Sequence, residues 1–544
     1  MLVSMQDKNM HRIGRQVFEI EATSSKTLQI WQETLPEIFN TLVQPKLEQE
    51  LDRLFPAGKY VQIDRLMLDL GTLTSKDLTE ALSQKILDQI IKVFAKLDAK
   101  PGTDFFTKDT DEVTNVAKLS KAERLWKVFF YFLEKGYFPW NSEKIHTVSA
   151  FESELLRENF NKDFIVRLFW GLSSFSEKTA QRLAGIFSES FQLQLCSILI
   201  PNLSIDEVRT LLQRVYELNH SWNKNPKDWW YSFWSVLFQQ QESPKNLDAI
   251  ASLMLQTCNA LWLTQDFSDE PKLQWIKTWQ QSAKVDVSNL SAQSLIKKFS
   301  SLLEEQKRVL EKTLSLKRNL KDPGSNQTKQ DAFDSALIPQ EDQEKLAFSA
   351  ALSDIPYPEN GISKANSNVA PPEHLYHDLI AVEYAGIVLL HPFLETLFNE
   401  AGLVEKGRFR STKEQSQAVL LSAYLVSGEF PEPEWNLLIP KILCNWPLEE
   451  PLHLERFFDP QWPALAQELL SAVIGHWSAL GQTSPKGLQQ NFLQRPGNLQ
   501  HTSGLGWALQ IETNTIDILL QRLPWGISYV KLPWMKEMIQ VYWD

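Results

Sequence analysis

The chain has 544 residues and a formal net charge of −12, with 43% hydrophobic and 22% charged residues. That composition is globular, and the length suggests about two to four domains. The acidic balance disfavours nucleic acid and anionic membrane surfaces as partners, because both need clustered Lys and Arg.

The 19 Trp and 30 Phe supply apolar surface for sizeable cores. Cys196, Cys258 and Cys444 lie far apart with no CxxC pair. Neither a zinc site nor a disulfide framework follows, and three free buried thiols are expected. The segment MLVSMQDKNMHRIGRQ lacks an apolar stretch of the secretory kind. The most apolar run, Ala385 to Leu394, is interrupted by His391-Pro392, so direct membrane insertion is not expected.

Gln16 to Glu21 alternates like a half-buried strand. Ser24-Ser25 then offers an N-cap for a helix carrying Leu28, Trp31, Leu35, Ile38, Phe39 and Leu42, which Pro36 and Pro45 should kink or split. Phe55-Pro56-Ala57-Gly58 reads as a turn. A second alternating stretch, Tyr60 to Gly71, changes phase near Arg65, and Thr74-x-x-Asp77 resembles a capping box. Leu78, Leu82, Ile86, Ile90, Phe94 and Leu97 share one helical face. The order strand–helix–strand–helix predicts a compact α+β domain over residues 1–100.

Residues 98–117 read as a polar connection. A helical middle domain follows over 118–318, opening with Leu125, Trp126, Phe129, Phe130 and Leu133 on one face and Gly136 as the terminator. Ser291 to Arg318 reads as one long polar helix with Leu302, Leu303, Val309, Leu310 and Leu314 as its apolar positions. Residues 319–372 are rich in Pro, Gly, Asn and Ser and read as a flexible linker, with a short helix near Gln340 to Leu352.

The C-terminal domain, 373–544, is α-rich and ends in a short β and Pro-Trp segment. Ile380 to Phe398 reads as a buried helix with a break at His391-Pro392, and Gln415 to Leu425 and Leu465 to Leu480 read as two more, ended by Ser427-Gly428 and by Gly481. Trp507 to Glu512 alternates like a strand, with Ile516 to Leu520 as a candidate partner. The fold class is therefore mainly α with small α+β elements.

Catalytic patterns are scarce. Gly402-x4-Gly407-Arg408 has the glycine spacing of a phosphate loop but lacks its Lys and Ser/Thr and its preceding strand. His374 and His377 could share a metal on one helical turn, but the stretch follows Pro371-Pro372, where polar residues usually serve as solvation. Asp64 and Asp69, five residues apart on a strand, lie on opposite faces unless a bulge intervenes, and Asp64-Arg65 reads as an ion pair or turn element. No metal, cofactor or catalytic residue is assigned.

Three stretches resemble one family. The first is Gln62-Ile63-Asp64-Arg65-Leu66-Met67-Leu68-Asp69-Leu70-Gly71, preceded by His11-Arg12-Ile13 and by Leu51-Asp52-Arg53-Leu54. The second is Tyr131 to Trp140, ending Pro139-Trp140. The third runs from Ala385 through His391-Pro392-Phe393-Leu394 and Lys441-Ile442-Leu443-Cys444 to Phe492-Leu493-Gln494-Arg495-Pro496-Gly497. It ends with Leu523-Pro524-Trp525 and Leu532-Pro533-Trp534-Met535. In order and spacing these resemble the tape measure proteins of bacterial contractile injection systems. Met67 stands where an acidic residue is frequent, and Asn445 follows Cys444 where glycine is common.

The resemblance implies a structural, non-enzymatic protein of a phage-tail-like particle. Such a protein would be cytoplasmic at synthesis, incorporated into the particle and released with it. It would set inner-tube length and touch inner-tube, baseplate hub and cap proteins. An assembly chaperone or adaptor of the same system is the alternative. The many short amphipathic segments sit uneasily with a single measuring rod.

Overall fold

A computed structural model describes residues 11, 13, 16–20, 31, 34–54, 60–71, 78–98, 113–142, 144–157, 161–171, 176–200, 206, 209, 226–240, 244, 246–263, 269–282, 290–319, 379–430, 433–452, 459–502, 504 and 506–543. The Ser24-Ser25 cap, the turn at 55–58, the capping box at 74–77, the His374/His377 pair and all but the first residue of the 319–372 linker lie outside these residues. The chain is mainly α with a small mixed sheet toward its end. It divides into two compact units, one of residues 1–210, 224–249 and 377–544, the other of residues 211–223 and 250–376.

In the first unit, a helical stretch from Thr34 widens to a π turn over Phe39–Val43 and continues as α1, Gln44–Leu54. The Gln44 amide reaches back to the Phe39 carbonyl, and Pro45, which has no N–H to donate, sits just beyond that widened turn. Strand β1, Tyr60–Leu66, and helix α2, Leu78–Asp98, follow. Leu35, Phe39, Val43 and Leu47 form a small core with Leu82, Ile86, Leu87 and Ile90.

Two expectations differ here. Residues 16–20 are in no strand, although Phe18 and Ile20 still pack on that core; alternation alone supplied no partner edge. The partner of β1 is instead β2, Val113–Leu119, antiparallel with Tyr60 opposite Leu119. Most of it lies in the supposed connection, where Val113, Val116 and Leu119 are three apart and show no period-two alternation.

Helix α3, Lys121–Lys135, begins with a capping box between Ser120 and Glu123 and ends at Gly136, whose φ of 82° is the left-handed terminator expected. Its buried Trp126, Phe129, Phe132 and Leu133 face α4, Val148–Arg157, α5, Lys162–Gly171, α6, Glu177–Ile186, and α7, Glu189–Leu199. Phe129 meets Phe187 and Phe191 edge-on at 5.2 and 5.5 Å. Helix α8, Pro226–Gln239, adds Trp234, whose indole donates to Gln192 at 2.7 Å.

Helix α9, Leu247–Leu263, carries the chain into the second unit. There α10, Asp269–Ser282, and the 30-residue α11, Leu290–Asn319, form a hairpin with Trp279 against Phe299 at 4.9 Å. On α11, Leu303 and Leu310 are buried as expected, but Val309 is 56% exposed. One helix face cannot bury positions 309 and 310 equally.

The C-terminal part of the first unit centres on a five-stranded sheet of order β3-β6-β7-β9-β8. Its strands are β3 Ile380–Val382, β6 Gly497–Thr502, β7 Gly506–Ile511, β8 Tyr529–Val530 and β9 Ile539–Tyr542, with only β7 and β9 parallel. A two-residue hairpin, β4 Val404–Glu405 and β5 Arg408–Phe409, stands apart from it.

The expected helix over 380–398 is instead β3, a 3-10 turn over Ala385–Leu390, and α12, His391–Glu400, with Pro392 in its first turn, where its missing N–H costs nothing. Helices α13 Thr412–Ser427, α14 Leu438–Leu443, α15 Trp462–His476 and the short α16 Pro485–Leu488 complete the layer. Residues 515–522 form a 3-10 turn rather than a strand, capped by Asn514 and Asp517. Among the described residues, no helix is long and apolar enough to cross a membrane.

Candidate functional site

The most unusual chemistry in the first unit is a buried charged node. Helix α6 buries Arg182 between Ala180 and Leu183, with its side chain fully removed from solvent. The α3 terminus supplies carbonyls left without helical partners, and Arg182 Nη1 donates to Leu133 O and Glu134 O, each at 2.9 Å. Gly136 leaves the passage open for the guanidinium.

From the C-terminal part, a 3-10 turn at Glu434–Asn436 places the Glu434 carboxylate 3.2 Å from Arg182 Nε. One turn further, α14 carries Lys441, whose Nζ donates to Glu434 Oε1 at 2.8 Å. The same ammonium donates to Leu448 O and Glu450 O, both at 2.9 Å, and Arg182 Nη2 donates to Glu449 O.

Two cations thus surround one carboxylate, and backbone carbonyls accept five further hydrogen bonds from them. Burial pulls the Lys441 ammonium below its ordinary pKa, and the Glu434 charge and hydrogen bond oppose that pull. The rim is wetter: Lys135 pairs with Glu449 at 3.2 Å and Lys178 with Glu450 at 2.7 Å. Beside the node, Trp435 sits in an aromatic nest 5.3 Å from Phe132 and 4.9 Å from Phe138. The arrangement joins two stretches of chain 252 positions apart.

The motif residues fall in three places. Ile63, Leu66, Leu68 and Leu70 pack on the N-terminal core. Asp69 makes the turn that follows, its Oδ1 accepting from Gly71 N at 2.9 Å while Gly71 takes φ 62°. Asp64 and Arg65 lie within β1, not at a turn. Pro139 and Trp140 form the turn after α3, closed by Ser142 N to Pro139 O at 2.9 Å.

Of the remaining motif residues, Phe393, Cys444, Trp525 and Trp534 pack in the C-terminal core, while Pro392, Pro524 and Pro533 are exposed. Burial lowers the His391 pKa, partly offset by its 2.9 Å Nδ1 contact with Val388 O. Phe393 meets Trp525 edge-on at 5.1 Å, and the Trp525 indole donates to Leu389 O at 3.0 Å beside Pro524. Trp534 donates to Leu443 O at 2.8 Å and packs on Phe398 and Phe409, while Pro533 lies over Gly407. Cys444 is fully buried, and that burial pushes its thiol up to about 12. Asn445 occupies a left-handed conformation at φ 54°, which explains why glycine suits this position.

Within the Gly402-x4-Gly407 spacing, Gly402 follows the end of α12 at φ 70°, and Lys406 and Gly407 make the β4–β5 turn at φ 52° and 72°, as a two-residue hairpin requires. Among the described residues, no cluster of His, Cys, Asp and Glu is suited to a metal.

Against known proteins, the chain matches the contractile injection system tape measure protein family over residues 10–543. It belongs to that family. No curated protein and no solved structure matches it. The match covers nearly the whole tape measure chain, so the node and all three motif regions fall inside it.

The sequence reading did not single out Arg182, Glu434 or Lys441 as a site. One signal was available: Lys441 interrupts the apolar run Leu437 to Cys444. A charge in such a run is either solvated or paired.

Proposed function

We propose that this tape measure protein sets the length of the inner tube of a contractile injection particle, as a structural rather than catalytic component. The observation that carries the reading is the family match over residues 10–543. The motif residues support it, because those with described side chains serve packing, turns and backbone hydrogen bonds. Its partners in this reading are inner-tube subunits, baseplate hub proteins and the terminating cap.

The ruler has to lengthen to measure. Fully helical, 544 residues span roughly 800 Å at ~1.5 Å per residue, and fully extended roughly 1,800 Å at ~3.3 Å. The compact units therefore open during tube growth, against a stability on the order of 5–15 kcal/mol per domain. Residues 319–372 act as the linker whose length counts.

The test is an in-frame deletion series within 319–372, with tube length read by electron microscopy. A deletion of about 30 residues shortens the tube by roughly 45 Å if the ruler is helical and roughly 100 Å if it is extended. Unchanged tubes would remove the measuring role and leave assembly assistance.

A further inference from the structure

We propose that the Arg182–Glu434–Lys441 node is a clasp that holds the tape measure chain shut and has to open before the chain lengthens. The proposal rests on the assembly reading above, and its test is separable from the deletion series.

Topology gives the clasp its leverage. Arg182 and Glu434 are 252 positions apart, yet both are buried in the first unit. The second unit, residues 211–223 and 250–376, leaves the first and returns to it. While the clasp is shut, residues 250–376 leave the first unit and return to it, with residues 224–249 already part of that unit. The extended contour of 250–376 is roughly 420 Å at ~3.3 Å per residue, so an out-and-back path reaches roughly half of that. With the clasp open, the two ends separate and the whole contour becomes usable.

The chemistry makes the clasp a two-state device. An apolar seam exposes only apolar surface when it parts, with nothing to offset the loss. Here Arg182, Glu434, Lys441 and the carbonyls of Leu133, Glu134, Leu448, Glu449 and Glu450 all regain water when the seam opens fully. A half-open seam is the worst state, because it strands a buried charge without its partner. The flanking aromatic nest of Trp435, Phe132 and Phe138 supplies adhesion, and the node supplies the all-or-none character. The exposed rim pairs of Lys135 and Lys178 make opening easier at high salt.

The test uses the full chain expressed with the other particle components. The triple variant Arg182→Met/Glu434→Leu/Lys441→Met replaces the charges with apolar groups and keeps the seam shut. Hydrogen exchange at the α3 terminus and at residues 434–450 should slow at least tenfold, and the yield of tubes should fall at least tenfold. Glu434→Gln should speed that exchange at least tenfold. If the triple variant does not fold, Lys178→Cys/Glu450→Cys bridged in cells by a short permeable bis-maleimide locks the same seam. The native thiols are buried and stay unreacted.

Normal tube numbers and lengths from the locked chain, by either route, overturn the clasp. Loss of tubes from the locked chain supports it, even where linker deletions leave tube length unchanged and the ruler reading fails.

Discussion

Gly136 and Arg182 occupy one space: a Cβ added to Gly136 would lie 2.6 Å from Arg182 Nη2. The glycine thus serves two needs, a left-handed helix end at φ 82° and a channel for the guanidinium. Gly136→Ala should cost about 1–2 kcal/mol for the backbone and more for the displaced Arg182, about 3 kcal/mol in all. Gly71→Ala is the control. It has φ 62° with nothing within 4 Å of the new Cβ, and should lose only the backbone share. Urea unfolding of both variants checks the difference.

The contrast between those glycines shows what the sequence could carry. Gly136 and Gly428 are readable as helix ends, and Ser291 to Arg318 as one long helix, because the signals are local. Strands β3, β8 and β9 are only two to four residues long, and Ile380 of β3 finds its partner as far away as Leu499. No local period identifies them. The node was hidden for the same reason: Arg182 looks like one more polar residue on a helix until Glu434 arrives from 252 positions away.

Asn445 gives a second test. Its left-handed backbone is fixed by Trp446 N bonding to Lys441 O at 2.7 Å, and its Oδ1 accepts from Lys536 N at 3.2 Å. Asn445→Gly relieves the backbone but loses that side-chain bond, so stability should change by less than about 1 kcal/mol. Asn445→Val loses both and should cost about 2–3 kcal/mol. Thermal unfolding of the two variants side by side decides it.

His391 predicts a pH dependence. Its folded pKa lies below the ordinary 6.5 because of burial. Above pH 6.5 it is neutral in both folded and unfolded chains and carries no penalty. As pH falls below 6.5 the unfolded chain takes up the proton first, so stability drops, and the loss is complete below the depressed folded pKa. His391→Gln should flatten the loss of stability between pH 7 and 5. A parallel slope in the variant would show that other groups dominate that window.

The thiols give the last prediction. Burial raises Cys196 well above its ordinary value and pushes Cys258 and Cys444 up to about 12. At pH 8 a thiol of pKa about 12 is ionised to about one part in ten thousand, and the thiolate is the reactive form. The native protein should therefore react with an aromatic disulfide reagent only as fast as it opens. Addition of denaturant should release Cys196 and Cys444 as the first unit unfolds and Cys258 as the second does. Rapid labelling of Cys444 in native buffer would mean that the seam between α13 and α14 breathes. The packing of Trp534 on Leu443 would then be looser than its 2.8 Å hydrogen bond implies.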